Sequence, residues 1–450
     1  MKIIFDIDGT MTDFHAYIKT YALPWFYKKY GLLPCKEHEL ELEDILDLQN
    51  VIQGQRKCTD SEAKVCCKKM IAHYWISPRF IRFSLLTRFR PGCASFVRKL
   101  KKLGFQIEIY TTRAYATKGN AIGWFARICT IGQLWLNGVF LCPSNIYFFP
   151  SDEVKLEKLI QSKPSLVFDD KPSILNELYR HNIPVVCIAG QHNEALQSVR
   201  GIERIAEYKN IQIEKLLKGV WGRNFPYLIR AAQSDQLWKR LLHFAPLCQL
   251  YFHPIVLNPS RQIITDEAVL YAPNHRSTLD PFAISTVIKE NIHWAALLRF
   301  FQAEDSIFNN SKNPILCKLT AWLFRSLEYF PIDRKADNPN ANNIHAIRDM
   351  VGFLRISQKI GIFGEGTIRR TEGADFGTFD DSIIELAKKT GAWLQPITVY
   401  WATIRKKKQI IINFGEAFKV ENAKTAMEAF LKIQRQCLQE NMIYAEKYLF

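Results

Sequence analysis

The strongest constraint on the fold is an alternation of strand-like and helical segments in the first half of the chain. Four segments are strand candidates: Lys2–Ile7, Phe105–Thr111, Ser165–Phe168 and Pro184–Ala189. Helical segments such as Ala94–Leu103 and Val154–Ser162 lie between them. This β-α-β order predicts a parallel sheet with helices on its faces. Residues 14–90 interrupt the order, and we interpret them as a mostly helical insertion after the first strand.

The alternation returns in the second half, beyond about residue 260. Its strand candidates are Glu267–Ala272, Lys359–Phe363, Leu394–Tyr400 and Gln409–Phe414. The segment 221–226 carries Gly and Pro and indicates a boundary between the halves. A chain of 450 residues is expected to form two or three domains. We therefore predict the α/β class with two α/β domains, at 1–217 and 218–450.

Composition narrows the class of protein and of partner. Hydrophobic residues make up 48% and charged residues 23%, which excludes a mainly disordered or collagen-like chain. Lys and Arg exceed Asp and Glu by 60 to 44, a net charge of +16 that is spread over both halves. This excess favours phosphorylated substrates, an anionic membrane surface or nucleic acid, although a basic soluble surface is an equally simple explanation. No nucleic-acid recognition motif is found, and the Lys406–Lys408 run is typical of a solvated loop, so no nucleic-acid partner is expected.

Cysteine usage and hydropathy indicate the compartment. The 11 cysteines are odd in number and form no C-x-x-C pair, which predicts neither a disulfide framework nor a zinc site and favours a reducing cytoplasm. Two acids interrupt the first apolar stretch, so no signal peptide is expected, and no apolar run is long enough for a membrane span. Residues 227–252 mix apolar and basic side chains. They form either a helix packed on the second domain, which we favour, or an interfacial helix on the cytoplasmic face of a membrane.

A pair of carboxylates ends the first strand candidate. Asp6 and Asp8 are two residues apart and therefore point to the same side of a strand, and Gly9 allows the backbone to turn sharply after them. Such a pair can hold a divalent cation and can supply a carboxylate nucleophile beside an acid/base. Because Asp-Gly is also a common turn, the motif needs support from elsewhere in the chain.

Three later features lie at the ends of other elements, where they could share one crevice with Asp6 and Asp8. Thr111 ends a strand candidate with a hydroxyl, Lys155 lies in a helix start, and Asp169 and Asp170 end another strand. A hydroxyl and an ammonium can bind phosphate oxygens, and two carboxylates can bind a hard cation. Each feature alone also fits an ordinary cap, a solvated lysine or an acidic turn, but their common order makes coincidence improbable.

This order of motifs resembles the haloacid dehalogenase superfamily of phosphohydrolases, in particular nucleotidase-like members with a helical cap, here about 14–90. The resemblance implies that Asp6 is the nucleophile that forms an aspartyl-phosphate and that Asp8 is the general acid/base. It implies that Thr111 and Lys155 bind the phosphoryl group, with Lys158 as the alternative lysine. Mg²⁺ would be bound by Asp6, the Asp8 carbonyl and Asp169, with help from Asp170.

A second set of polar residues follows the strand candidate Glu267–Ala272. Asn274 and His275 come directly after it, and Asp280 follows five residues beyond His275. A carboxylate can fix the tautomer of an imidazole that deprotonates a hydroxyl. The spacing alone is weak, because a histidine at a strand end is more often a hydrogen-bonded structural group.

Further motifs support this second set. Arg334 can bind a phosphate with two donors, and Gly366 and Thr367 offer backbone approach and a hydroxyl. Glu365 would repel a phosphate, so we expect it to orient donors or to pair with Arg334.

These blocks resemble the glycerolipid acyltransferase family typified by 1-acylglycerol-3-phosphate acyltransferase. The resemblance implies that His275 activates the acceptor hydroxyl with support from Asp280. It implies that Asn274, Arg334, Glu365, Gly366 and Thr367 form the substrate-binding motifs. The segment 363–368 departs from the family pattern at two positions, where Gly364 replaces proline and Ile368 replaces arginine.

The sequence thus predicts a fused enzyme. Its second domain would transfer an acyl group from acyl-CoA or acyl-carrier protein to a lysophospholipid, and its first domain would be an Mg²⁺-dependent phosphatase. A peripheral membrane surface is the expected partner besides the phosphorylated and lipid substrates, and the oligomeric state is left open. The alternative is a soluble nucleotidase-like phosphatase whose C-terminal domain is a degenerate lipid-binding module.

Overall fold

The computed structural model describes residues 1–13, 23–30, 59, 61–63, 65–66, 69, 87–190, 193, 202–209, 211–304, 313–333, 339–366, 368, 377–404 and 407–448. Most of the predicted cap at about 14–90 therefore lies outside the described residues. The chain divides into two units, Met1–Phe225 and Pro226–Phe450.

The first unit contains a sheet covered by helices. Its elements are β1 (Lys2–Phe5), α1 (Leu23–Tyr30), α2 (Cys93–Lys102), β2 (Gln106–Thr112), α3 (Ala121–Leu136), β3 (Ile146–Phe149), α4 (Asp152–Ser162), β4 (Leu166–Asp169), α5 (Pro172–Arg180), β5 (Val185–Ile188), β6 (Glu203–Ile205) and α6 (Ile213–Trp221). Within the described residues the strands pair in the order β3-β2-β1-β4-β5-β6, all in parallel. The central strands are buried on both faces, which explains their continuous apolar runs.

The second unit contains a larger, mixed sheet. Its elements are α7 (Phe225–Leu241), α8 (Ala245–Phe252), β7 (Ile255–Leu257), β8 (Val269–Pro273), α9 (Asp280–Ile288), β9 (Ile292–Leu297), α10 (Leu298–Phe301), α11 (Pro314–Ser326), β10 (Phe330–Ile332), α12 (Pro339–Arg355), β11 (Lys359–Gly361), α13 (Ser382–Thr390), β12 (Trp393–Ile404), β13 (Lys407–Phe414), β14 (Phe418–Lys419) and α14 (Ala423–Tyr448). The described strands pair in the order β10-β9-β11-β8-β12-β13-β7, and β14 pairs with β12. The run from β10 to β12 is parallel, whereas β13 and β14 are antiparallel to β12. The predicted fold class, two α/β domains, is confirmed.

The predicted domain boundary falls inside a helix. The division expected between 217 and 218 cuts α6, where Leu217 and Trp221 are buried. The Trp221 indole donates to the Ser165 carbonyl at 2.9 Å and its ring lies 5.3 Å from that of Phe105. Because these contacts tie α6 to the first sheet, the observed boundary comes after the helix.

Helix α7, the first part of the predicted segment 227–252, packs within the second unit, whereas Phe244 and Leu250 further along are exposed. Leu228 and Trp238 of α7 are buried, and Leu237, Leu241 and Leu242 contact the main core cluster of that unit. The structure thus favours packing over an interfacial position for α7. Among the described helices, none is both long enough and apolar enough to cross a membrane.

Two helical glycines of the first unit provide a matched test of its packing. A Cβ at Gly123 in α3 would lie 2.0 Å from the carbonyl oxygen of Lys118, whereas a Cβ at Gly219 in α6 would meet nothing closer than 3.8 Å. We expect Gly123→Ala to lower the free energy of unfolding by about 1–3 kcal/mol through overpacking. Gly219→Ala should raise it by up to about 1 kcal/mol through helix propensity. Urea denaturation measures both variants, and equal effects at the two sites would contradict the packing described here.

Candidate active sites

The first site lies where the strand order of the first sheet reverses. β1 and β4 are neighbours, and the later strands lie on opposite sides of this pair. Such a switch point leaves a crevice at the carboxyl ends of the strands. Asp6 directly follows β1 and Asp169 ends β4, and the Asp6 amide donates to the Phe168 carbonyl at 3.0 Å. Both carboxylates are therefore held at the crevice.

Lys155 of α4 joins these two carboxylates. Its Nζ donates to Asp6 Oδ1 at 2.9 Å and to Asp169 Oδ2 at 2.7 Å, and all three side chains are buried. An ammonium withdrawn from water is tolerated only with such partners. Lys158, one turn further along α4, is exposed. Of the two candidate lysines, Lys155 is therefore the one that reaches the predicted site.

The acidic cluster has the composition of a divalent-cation site. Carboxylate oxygens of Asp6, Asp169 and Asp170 lie within 4.8 Å of one another. Burial, with further contributions from Asp169 and Asp170, raises the pKa of Asp6 to about 7 in spite of Lys155. Because Lys155 contacts only two of the three carboxylates, a divalent cation would add the positive charge that the cluster lacks, and oxygen ligands suit Mg²⁺. The residues present thus fit the ion that the resemblance implies.

Gly9 is required by the packing of this cluster. Its φ is +87°, and a Cβ at this position would lie 2.0 Å from Asp170 Oδ2. Thr10 Oγ1 donates to Asp170 Oδ1 at 2.9 Å. The Asp-Gly-Thr turn therefore brings the backbone after β1 directly against Asp170.

Asp8 lies apart from the carboxylate cluster. Arg113 donates to its two oxygens from Nε at 3.0 Å and from Nη2 at 2.8 Å, and also donates to Thr130 Oγ1 at 2.7 Å and to Gln133 Oε1 at 3.2 Å. A two-donor contact of this kind fixes the orientation of a carboxylate. The sequence analysis missed Arg113 because its role depends on the meeting of β1, β2 and α3. The carbonyl contact of Asp8 with a metal stays a prediction.

Thr111 has the properties of a phosphate-binding group. Strand register pairs Phe5 with Ile109, which puts Thr111 alongside the end of β1. Its Oγ1 is buried and, within the described residues, has no hydrogen-bond partner. A buried hydroxyl without a partner costs free energy, which a phosphate oxygen would recover. This supports the predicted role of Thr111, which stays a prediction.

The second site lies after β8 in the second unit. Asn274 is fully buried, and its amide donates to the Val399 carbonyl at 3.0 Å and accepts from the Val399 amide at 2.6 Å. The sequence analysis assigned Asn274 to substrate binding. Because both ends of its amide are bonded to β12, its side chain ties the end of β8 to the sheet and thereby positions His275, and its role in substrate binding stays a prediction.

His275 and Asp280 form a direct contact. His275 Nδ1 lies 3.1 Å from Asp280 Oδ2, which also accepts the amides of Arg276 and Ser277 at 2.7 Å each. Asp280 is fully buried at the start of α9. Since an ionised carboxylate only accepts, Nδ1 carries the proton of a neutral His275, and Nε2 is the nitrogen that can accept one. The pair therefore has the orientation of a general base, His275, with a supporting carboxylate, Asp280.

Trp401 completes the environment of Asp280. Its Nε1 donates to Asp280 Oδ1 at 2.9 Å, so four N–H groups point at this carboxylate. The sequence analysis missed Trp401, since only the register of β12 beside β8 brings it to this position.

The Phe-Gly-Glu-Gly segment after β11 packs around His275. The Phe363 ring stacks on the imidazole with ring centroids 4.0 Å apart. Glu365 accepts the amide of His275 at 3.4 Å and the amide of Gly377 at 3.3 Å, and its predicted role in orienting donors for the substrate stays a prediction. A Cβ at Gly364 would lie 2.8 Å from Phe379, which accounts for glycine at the position where the family carries proline.

Near this segment the structure describes Gly366 and Ile368, but it describes neither Arg334 nor Thr367. Gly366 has a φ of +72°, a conformation that favours glycine, and Ile368 is partly buried. Arg334 and Thr367 lie outside the described residues, so their proposed contacts with a phosphate stay predictions.

Comparison with family models supports the resemblance of the second half. The sequence model of the Acyltransferase family matches residues 255–400. No curated protein matches this sequence.

Solved structures of similar fold include representatives of both classes. A haloacid dehalogenase hydrolase from Entamoeba histolytica is 20% identical, with a TM-score of 0.36, over 49% of this chain and 98% of its own. The 1-acyl-sn-glycerophosphate acyltransferase PlsC from Thermotoga maritima is 15% identical, with a TM-score of 0.32, over 50% of this chain and 93% of its own. A haloacid dehalogenase-like hydrolase from Streptococcus pneumoniae is 15% identical, with a TM-score of 0.34, over 48% of this chain and 96% of its own.

The four donors around Asp280 lead to a prediction for Asp280→Asn. In either orientation, the amide group of asparagine would face at least one of these donors with its own N–H groups. We expect the substitution to lower the free energy of unfolding by about 1–3 kcal/mol. Asp381→Asn, an exposed position of the same unit, should change it little. Urea denaturation followed by circular dichroism measures both, and an unchanged stability of Asp280→Asn would contradict the network.

Proposed function

We propose that the chain is a bifunctional enzyme. Its C-terminal unit transfers an acyl group from acyl-CoA or acyl-carrier protein to a lysophospholipid such as 1-acylglycerol-3-phosphate, and its N-terminal unit is an Mg²⁺-dependent phosphatase. The observation that carries the proposal is the contact of His275 Nδ1 with the buried Asp280, within the residues that match the Acyltransferase family.

In the acyl transfer, His275 acts as a general base. Its Nε2 takes the proton of the acceptor hydroxyl while the oxygen attacks the thioester carbonyl, and the proton then passes to the departing thiolate. Asp280 stabilises the imidazolium that forms between these steps. Trp401, Asn274 and Glu365 position the pair through their contacts with Asp280, Val399 and the His275 amide.

In the phosphatase reaction, Asp6 attacks phosphorus and forms an aspartyl-phosphate. Asp8 gives a proton to the departing alkoxide and then takes one from the water that hydrolyses the intermediate. Asp6, Asp169 and Asp170 would hold Mg²⁺, which supplies positive charge for the phosphoryl oxygens. Arg113 keeps Asp8 oriented, and Lys155 and Thr111 are available to the phosphoryl group.

The two reactions fit one reaction sequence at the cytoplasmic face of a membrane. Acylation of a lysophosphatidate gives a phosphatidate, and removal of its phosphate gives a diacylglycerol. The motivation for this order is the fusion of the two units in one chain.

The acyltransferase proposal predicts the effect of His275→Ala. Purified protein with acyl-CoA and lysophosphatidate should form phosphatidate, read by mass spectrometry, and the substitution should lower the rate by about 10²–10⁴-fold because the general base is lost. His243→Ala, which removes an exposed histidine of the same unit, should leave the rate unchanged. Equal rates for His275→Ala and wild type would reject this role and favour the alternative of a degenerate lipid-binding module.

The phosphatase proposal predicts that Asp6→Asn and EDTA each abolish phosphate release from p-nitrophenyl phosphate and from phosphatidate. Glu157→Gln, an exposed change on the helix that carries Lys155, serves as the control. Because protonated Asp6 cannot bind a cation and its pKa is raised to about 7, the Mg²⁺ concentration for half-maximal activity should rise as the pH falls below about 7. A metal requirement that is independent of pH between about 6 and 8 would contradict this assignment of Asp6.

A further inference from the structure

The outward face of α3 carries the largest group of exposed apolar side chains among the described helices of the first unit. Trp124 is 60% exposed, Trp135 46% and Leu136 69%, and Phe140 just beyond the helix is 64% exposed. Three more side chains extend the group along the helix: Ile122, Phe125 and Ile128. We call these seven residues the α3 face.

The α3 face lies on one side of the helix. Trp124, Phe125, Ile128, Trp135 and Leu136 follow the helical period, so their side chains project from one side. The opposite side, with Thr130 and Leu134 among others, is buried in the unit. The exposed apolar area is roughly several hundred Å², as large as the patches that mark interaction sites in monomeric proteins.

The described chain segments next to the α3 face are rich in basic residues. Residues 87–150 contain nine Lys or Arg and one acidic residue, Glu108, which is buried. Several of these cations border the face directly: Lys101 Nζ donates to the Phe140 carbonyl at 2.9 Å, Arg98 donates to the Gly138 carbonyl at 3.4 Å, and Lys118 precedes α3. An apolar surface with a positive border is complementary to a bilayer with anionic headgroups.

We propose that the α3 face docks this protein on an anionic phospholipid bilayer. The two tryptophans, eleven residues apart on the same side, would lie at the level of the headgroups, where indole rings are favoured. Lysines and arginines around the face would contact the lipid phosphates. The inference does not depend on the proposed function, since it concerns binding alone.

The charges favour a bilayer over the other possible occupants. A second copy of the chain on a two-fold axis would bring the same positive border against itself, which is unfavourable. Nucleic acid would satisfy the cations but would leave the apolar side chains without a partner. A lipid surface uses both parts of the patch.

The test measures sedimentation of the full-length protein with vesicles of phosphatidylcholine, with or without phosphatidylserine. We expect binding that requires phosphatidylserine and weakens with salt. The double substitution Trp124→Gln with Trp135→Gln should weaken binding at least about tenfold, because two large apolar side chains no longer enter the bilayer. Tyr179→Gln, an exposed aromatic position on α5, should bind as wild type does.

A second pair, Phe125→Ser with Ile128→Ser, tests the same face independently and should give the same loss. Circular dichroism checks that each variant is folded. The proposal is overturned if folded variants of both pairs bind the vesicles as wild type does, or if wild type does not bind them. It is also overturned if the wild type is a dimer in solution that both pairs dissociate, because the face would then be an interface between copies.

Discussion

The ammonium of Lys155 lies between Asp6 and Asp169, and all three groups are withdrawn from water. In such surroundings each charge is tolerated only while its partners stay in place. This contact therefore constrains the fold of the first unit: β1 and β4 must be neighbours, and the first turn of α4 must direct Lys155 at their ends. The same contact leaves negative charge in excess, and this excess is what makes the crevice suitable for a cation and a phosphate.

The second unit satisfies its buried carboxylate differently. Among the described residues its partners include no lysine: Asp280 is surrounded by N–H donors from His275, two backbone amides and Trp401. Since those donors are neutral groups apart from a histidine that can become charged, Asp280 remains able to stabilise an imidazolium. In the proposed function the two sites therefore use buried aspartates for different purposes: one cluster binds a cation, and the other stabilises a proton on its own histidine.

Site residues next to strand ends could be predicted from the sequence, because the carboxyl ends of parallel strands lie at one edge of a sheet. Asp6, Asp169, His275 and Glu365 were all identified in this way. Arg113, Trp401 and the structural role of Asn274 could not be, since they depend on which strands are neighbours and on their register. The boundary after α6 depends likewise on where Leu217 and Trp221 pack, which local composition does not indicate.

The hydrophobic periodicity of a helix does not identify the partner of its apolar face, as α7 and α3 illustrate. Both are apolar at helical spacing, and such a pattern shows that a face prefers to leave water but not which partner it finds. In α7, which also carries basic residues, the apolar side chains pack on the core of their own unit. In α3 the side with Thr130 and Leu134 is buried in its unit, whereas Trp124, Trp135 and Leu136 are exposed on the other side. Periodicity does not identify a partner for that exposed side, and our proposal of a lipid surface rests on the charge of the neighbouring residues.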